Sequence, residues 1–168
     1  MKVKKLFIIT LLFLSIFATK SFAQKVDGTY YDWTVFELDE AGQGKKCYIA
    51  SFPINSIGNH PEKREPYILI TRFKNKKVEE VSIFSGYEYK LNSDIFVSVD
   101  GKQYRMFTKD DIAWAKNEEQ DKEMIQRILK GQELRIRAES SKGTYSVETY
   151  SLKGVTRAYK RMKDLCVE

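Results

Sequence analysis

Ile95-Phe96-Val97-Ser98-Val99-Asp100-Gly101-Lys102-Gln103-Tyr104-Arg105-Met106-Phe107 decides the fold class of this chain. Two runs rich in β-branched and aromatic residues flank Asp100-Gly101, and Asp-Gly supplies the two positive φ angles of a type I′ turn. That turn has the twist of two antiparallel strands, so the stretch reads as a tight hairpin. Asp100 also has the chemistry of a catalytic acid, but its place between two strand-like runs is accounted for by the turn.

Moving toward the N-terminus, Glu80-Val81-Ser82-Ile83-Phe84-Ser85 reads as a strand. Tyr67-Ile68-Leu69-Ile70-Thr71-Arg72-Phe73 is apolar on both faces, as expected of a central strand covered on both sides. Pro53 to Glu65 contains Pro53, Gly58, Asn59 and Pro61 and has no sustained period, which predicts an irregular connection. Trp33 to Leu38, a polar turn at Asp39 to Lys45, and Lys46 to Phe52 form a second hairpin.

On the other side of the central hairpin, Asp110-Asp111 predicts a turn leading to a short helical segment near Trp114. The period then becomes helical from Asn117 to Leu129. Asn117 stands at the cap, Gln120 at the capping-box position, and Met124, Ile125, Ile128 and Leu129 form the apolar stripe. Gly131 ends this helix. Leu134, Ile136 and Ala138 alternate with charged residues in a half-buried strand, Ser140 to Gly143 turns, and Thr144 to Leu152 is the last strand. In the tail, Leu152, Val155, Ala158/Tyr159, Met162 and Leu165/Cys166 share one face of a helix. Strands in hairpins with no alternation of strand and helix predict a mainly β fold. The expected form is an antiparallel β-sandwich, with a small β-barrel as the alternative, plus one internal and one C-terminal α-helix.

Residues 1–23 stand apart. Lys2, Lys4 and Lys5 precede the apolar run Leu6 to Ala18, and Ser21-Phe22-Ala23 has the form that signal peptidase accepts, which predicts cleavage between Ala23 and Gln24. The apolar run is shorter than the roughly 20 residues of a spanning helix, so no integral membrane span is expected after cleavage. Residues 24–168 are then expected to form a single domain. The whole chain carries +6, and removal of Lys2, Lys4, Lys5 and Lys20 leaves +2, too little to point to nucleic acid. In an exported chain the two cysteines, Cys47 and Cys166, predict a disulfide.

Residues with site chemistry are few. His60 is the one histidine, no paired metal-ligand spacing exists, and no Cys-x-x-Cys, phosphate loop or nucleophile elbow is present. Catalytic, cofactor and metal residues are therefore read as none. His60 lies in a Pro-rich loop with no adjacent partner. Glu118, Glu119, Asp121 and Glu123 read as a solvated helix face complementing the dipole. Lys45, Lys46, Lys63, Arg64, Arg72, Lys74, Lys76 and Lys77 attract an anionic partner only if the fold gathers them. Tyr30, Tyr31, Tyr87, Tyr89 and Tyr104 have the amphipathic character of recognition residues, yet most are expected in the core or on strand faces.

A resemblance rests on several short stretches in order. They are Trp33, Cys47-Tyr48, Val97-Ser98-Val99-Asp100-Gly101, Leu129-Lys130-Gly131, Leu134-Arg135-Ile136, Ser151-Leu152-Lys153-Gly154 to Ala158, and Leu165-Cys166. In these the chain resembles the invasion-associated locus B family of exported alphaproteobacterial proteins. The resemblance implies one exported domain, a Cys47–Cys166 disulfide, and in some host-associated members a link to entry into host cells. It supplies no catalytic residues. The function expected is a non-enzymatic, disulfide-stabilised protein of the periplasm or outer surface that binds an envelope or host-surface protein or glycan. The rivals are a small periplasmic hydrolase using carboxylates and a purely structural envelope component.

Overall fold

The computed structural model describes residues 23–40, 44–60, 63–74 and 78–167. In chain order the elements are β1 (Ala23–Tyr30), β2 (Trp33–Glu40), β3 (Gly44–Ser51), β4 (Asn55–Gly58), β5 (Tyr67–Phe73), β6 (Glu79–Phe84), β7 (Asp94–Val99), β8 (Lys102–Lys109), β9 (Ile112–Trp114), α1 (Glu118–Ile128), β10 (Glu133–Glu139), β11 (Tyr145–Ser151) and α2 (Val155–Leu165). The strands form one antiparallel sheet in the order β1-β2-β3-β5-β6-β9-β8-β7-β10-β11-β4. Most neighbours in the sheet are neighbours in sequence, as short hairpin connections dictate.

The sheet folds over on itself. Its two ends approach where Trp33 Nε1 donates to Ser151 O at 3.0 Å and Asp32 N donates to Lys153 O at 3.3 Å. The half β1-β2-β3-β5-β6 contributes Trp33, Val35, Ile49, Ile68, Ile70 and Ile83 to the core, and the other half contributes Val97, Met106, Leu134, Ile136 and Tyr150 to the same cluster. Each fully buried Ile or Leu is worth roughly 1.5–3 kcal/mol. A surface ion pair is worth about 0–1 kcal/mol, so this shared core sets the stability. The mainly β antiparallel fold with one internal and one C-terminal helix is the one predicted. The barrel alternative is not realised, because β1 and β4 remain separate edges.

Local rules explain the predicted elements. Asp100 and Gly101 take φ of 44° and 84°, the pair of positive angles expected of the hairpin turn. Asn117 caps α1 by accepting from Gln120 N at 2.9 Å, and Gln120 Oε1 accepts in turn from Lys116 N at 3.0 Å. In α2, Val155, Ala158 and Met162 are buried as the period predicts. Cys47 and Cys166 are bonded, with Cα atoms 5.9 Å apart, so the end of α2 is tied to β3. Arg161 adds a two-pronged contact to Asp27 of β1 at 2.7 and 2.8 Å, and holds that carboxyl below its ordinary range.

Three features differ from expectation. The segment after Asp110-Asp111 is strand β9, not a helical segment, because it fills the gap between β6 and β8 with Ala113 facing the core. The connection after Pro53 contains strand β4, which pairs with β11. β5 is central but covered on one side only: Ile68 and Ile70 are buried, whereas Tyr67 and Leu69 are half-buried on the other face. Residues 1–22 of the predicted leader lie outside the described residues, and the predicted cleavage point between Ala23 and Gln24 falls at the first residue of β1.

Candidate binding surface

Strand register gathers aromatic residues on the face of the sheet that points away from the core. Phe36 is opposite Tyr48, Ala50 opposite Leu69, Tyr67 opposite Phe84, Ser82 opposite Trp114, and Trp114 opposite Phe107. These positions alternate with Val35, Ile49, Ile70, Ile83 and Ala113, which face inward, so they share one outer surface. Phe36 and Tyr48 stack at 4.9 Å between ring centroids and 10° between planes, and Tyr67 and Phe84 at 4.8 Å and 25°. Phe52 meets Tyr67 edge-on, and Phe107 stacks on Trp114.

Near-parallel rings on adjacent strands stand upright on the sheet and turn their edges to solvent. They shield Ala50 and Ser82, which are only 7% and 8% exposed on this outer face, while Phe52, Val26 and Phe107 stay 58%, 57% and 42% exposed. Burial among these rings pushes the Tyr48 and Tyr67 hydroxyls above the ordinary phenol range, so both remain neutral donors.

The grooves near the helices do not assemble a catalytic pair. One of about 590 Å³ between α1 and α2 is lined by Glu79, Glu118 and Glu119 together with Arg72, Lys122 and Lys163. Glu79 is held by Arg72 Nη1 at 2.8 Å and by the Tyr159 hydroxyl at 2.5 Å, so its oxygens are engaged in tying β5, β6 and α2 together. Among the described residues Asp121 is the carboxyl pushed up, to about 6 by burial, but it accepts from Val81 N at 2.8 Å and caps the edge of β6 beyond β9. Among the described residues no cluster of His, Cys, Asp or Glu has the makings of a metal site.

The family model described as invasion associated locus B (IalB) protein matches residues 33–163. The chain belongs to the IalB family. No curated protein and no solved structure matches it.

The stretches that carried the resemblance now have physical reasons in this IalB chain. Trp33 is fully buried where the sheet ends meet. The Asp100 carboxylate accepts from Gln132 N and Glu133 N at 3.1 Å, joining the central hairpin to the start of β10. A Cβ on Gly131 would sit 2.9 Å from Leu152 Cδ1 and 3.0 Å from both Asp100 Oδ2 and Val99 Cγ1, so any larger residue there must push these side chains aside.

Other singled-out residues have structural places. His60 gains partners that sequence adjacency did not reveal: Nδ1 is 2.6 Å from Thr144 Oγ1, and its ring packs on Tyr87. Of the early basic residues, Lys45 and Lys74 are brought together at the paired ends of β3 and β5, with Lys74 N donating to Lys45 O at 3.1 Å, whereas Arg64 lies elsewhere. Lys45 pairs with Glu37, Arg72 with Glu79, Arg64 enters the core, and Lys76 and Lys77 lie outside the described residues. Tyr87, Tyr89 and Tyr104 are buried, Tyr30 is half-buried, and Tyr31 is exposed. Of the acidic run at the start of α1, Glu118, Glu119 and Glu123 are exposed as expected, whereas Asp121 is buried. The outer aromatic residues were missed. Their signal was the two-sided apolarity of β5, read as cover on both faces.

Proposed function

We propose that this IalB protein is an exported, non-enzymatic envelope or surface protein whose outer aromatic face docks a protein partner. The observation that supports this reading is the outward-facing run Phe36, Tyr48, Phe52, Tyr67, Phe84, Phe107 and Trp114 across six strands, in which Phe52 and Phe107 are exposed and the others half-buried. Large exposed apolar patches on a folded chain mark interaction sites, and burying one such ring is worth roughly 1.5–3 kcal/mol. The leader read from residues 1–23, with cleavage before Gln24, and the Cys47–Cys166 bond fit an oxidising compartment. No helix among the described residues is long and apolar enough to cross a membrane. Family membership is the support for a role in host-cell interaction.

Photo-crosslinking in intact cells tests this reading. A crosslinker at Phe52 or Phe107 is expected to capture a discrete partner that a crosslinker at Arg127, on the exposed side of α1, does not. Capture of the same species from all three positions would reject the aromatic face as the docking site, as would capture that survives Phe36→Ser with Phe84→Ser.

A further inference from the structure

The other half of the sheet carries an outer face of different chemistry. On β10, Arg135 and Arg137 point outward and are exposed. Strand spacing puts their Cα atoms roughly 7 Å apart. Register places Arg135 beside Ser98 and Arg137 beside Phe96. Two adjoining grooves, of about 420 and 290 Å³, share Phe96 and Arg137. The first adds Arg135, Ser98 and Gln103, and the second adds Tyr145 together with Asp94 and Glu139, whose carboxylates are engaged by Arg105 and Lys90.

Charge on this face is unevenly settled. Arg105 is paired with Asp94 and Glu139 with Lys90. Arg135 and Arg137 have no carboxylate partner among the described residues. The Arg137 guanidinium lies 5.1 Å over the Tyr145 ring, which pre-orients its donor fork. Phe96 and Tyr145 are 50% and 40% exposed, and neither is stacked against another ring, in contrast to Phe36 and Tyr48.

We propose that this groove binds an acidic polysaccharide, with Arg135 and Arg137 each gripping a carboxylate or sulfate group along the sugar chain. A planar guanidinium holds either group through two parallel hydrogen bonds. Ser98 and Gln103 supply hydroxyl and amide groups for the sugar hydroxyls, and the ring of Phe96, together with the side of Tyr145 that Arg137 leaves open, offers apolar surface to sugar C–H faces. A flat anionic membrane meets the protruding arginines but not the groove floor at Ser98, so the surface fits a chain better than a bilayer. The groove adjoins the aromatic face at β8, where Phe107 pairs with Asp94, but shares none of its residues, so substitutions at Arg135 and Arg137 leave the aromatic face intact and the two readings stand or fall separately.

Isothermal titration at physiological ionic strength tests it, with heparin as the sulfated probe, polygalacturonate as the carboxylated probe, neutral dextran, and phosphatidylglycerol vesicles. Binding to at least one acidic polymer and none to dextran is expected. Arg135→Ser with Arg137→Ser should weaken it about tenfold or more, because hydrogen bonds to charged groups are each worth roughly 1.5–3 kcal/mol. Lys122→Gln with Lys130→Gln removes the same charge from α1 and the turn that follows it and should leave binding unchanged. Arg135→Lys with Arg137→Lys keeps charge without the fork and should bind between wild type and the serine variant. The proposal is overturned if neither acidic polymer binds, if dextran binds as well, if the α1 variant loses as much, or if only vesicles bind.

Discussion

The Arg64 guanidinium is ion-paired with the Glu148 carboxylate inside the core, with side chains only 9% and 1% exposed. Arg64 comes from the connection between β4 and β5, and it also donates to Ser85 O at 2.9 Å and Ser56 Oγ at 2.8 Å while lying over the Tyr87 ring. A loop is thereby fastened across the ends of β4, β6 and β11. Removing one partner of such a pair leaves a buried charge, so Arg64→Met should cost about 3–5 kcal/mol in denaturant unfolding. Arg64→Met with Glu148→Leu should recover most of that loss. A double variant no more stable than the single one would show that the guanidinium contributes through Ser85, Ser56 and Tyr87 instead.

The Cys47–Cys166 bond closes a loop of sequence separation 119. In the chain-entropy model a loop of that length gives about 4–5 kcal/mol. Cys47→Ser with Cys166→Ser should lower the denaturant midpoint accordingly. Adding reductant to the native protein should act slowly, because both sulfurs belong to buried residues. An unchanged midpoint in the double variant would mean that Val155, Ala158 and Met162 hold α2 in place unaided.

Asp121 sets a pH dependence. Its carboxyl is raised from 3.8 to about 6 by burial, so the folded state holds the proton more tightly than the unfolded state. The stability tied to this proton is fully present below about pH 4 and is lost as pH rises through about 6. Asp121→Asn keeps an acceptor for Val81 N and never ionises. Relative to wild type, the variant should gain on the order of 1–2 kcal/mol between pH 4 and pH 7.5. Glu80 and Glu118 add to the upward shift, so neutralising either should bring the wild-type transition to lower pH. A constant difference between wild type and Asp121→Asn across that range would refute the assignment.

What the sequence reveals and what it hides follow from how local each cause is. The hairpin at Asp100-Gly101 and the capped start of α1 at Asn117 are specified by residues within a few positions, and both are legible. So is the cysteine pair, because each has one possible partner. β1 is hidden because Gln24, Lys25, Asp27 and Gly28 break any alternation, and it forms by pairing with β2 across a bulge between Val26 and Gly28. Arg64 looks like another surface cation, and only the fold brings Glu148 to it. β5 shows the same limit at the candidate site. An apolar outer side chain such as Tyr67 or Leu69 has the same one-dimensional pattern whether a layer of this chain or a partner covers it.

Gly154 offers the sharpest local test, because the stretch Ser151-Leu152-Lys153-Gly154 leads directly into α2. Its φ is 94°, a left-handed conformation that an L side chain adopts only under strain. A Cβ there would overlap the Tyr30 carbonyl oxygen and lie 2.7 Å from the carbonyl carbon. Both costs fall on rigid backbone, so neither is relieved by a rotamer change. Gly154→Ala should destabilise the protein by about 3 kcal/mol or more, from the positive φ and the displacement of β1 together. The same substitution at Gly143, which has φ of 77° but open space around it, should cost only about 1 kcal/mol. Equal losses at the two positions would show that φ, and not the approach of Tyr30, fixes the glycine at the start of α2.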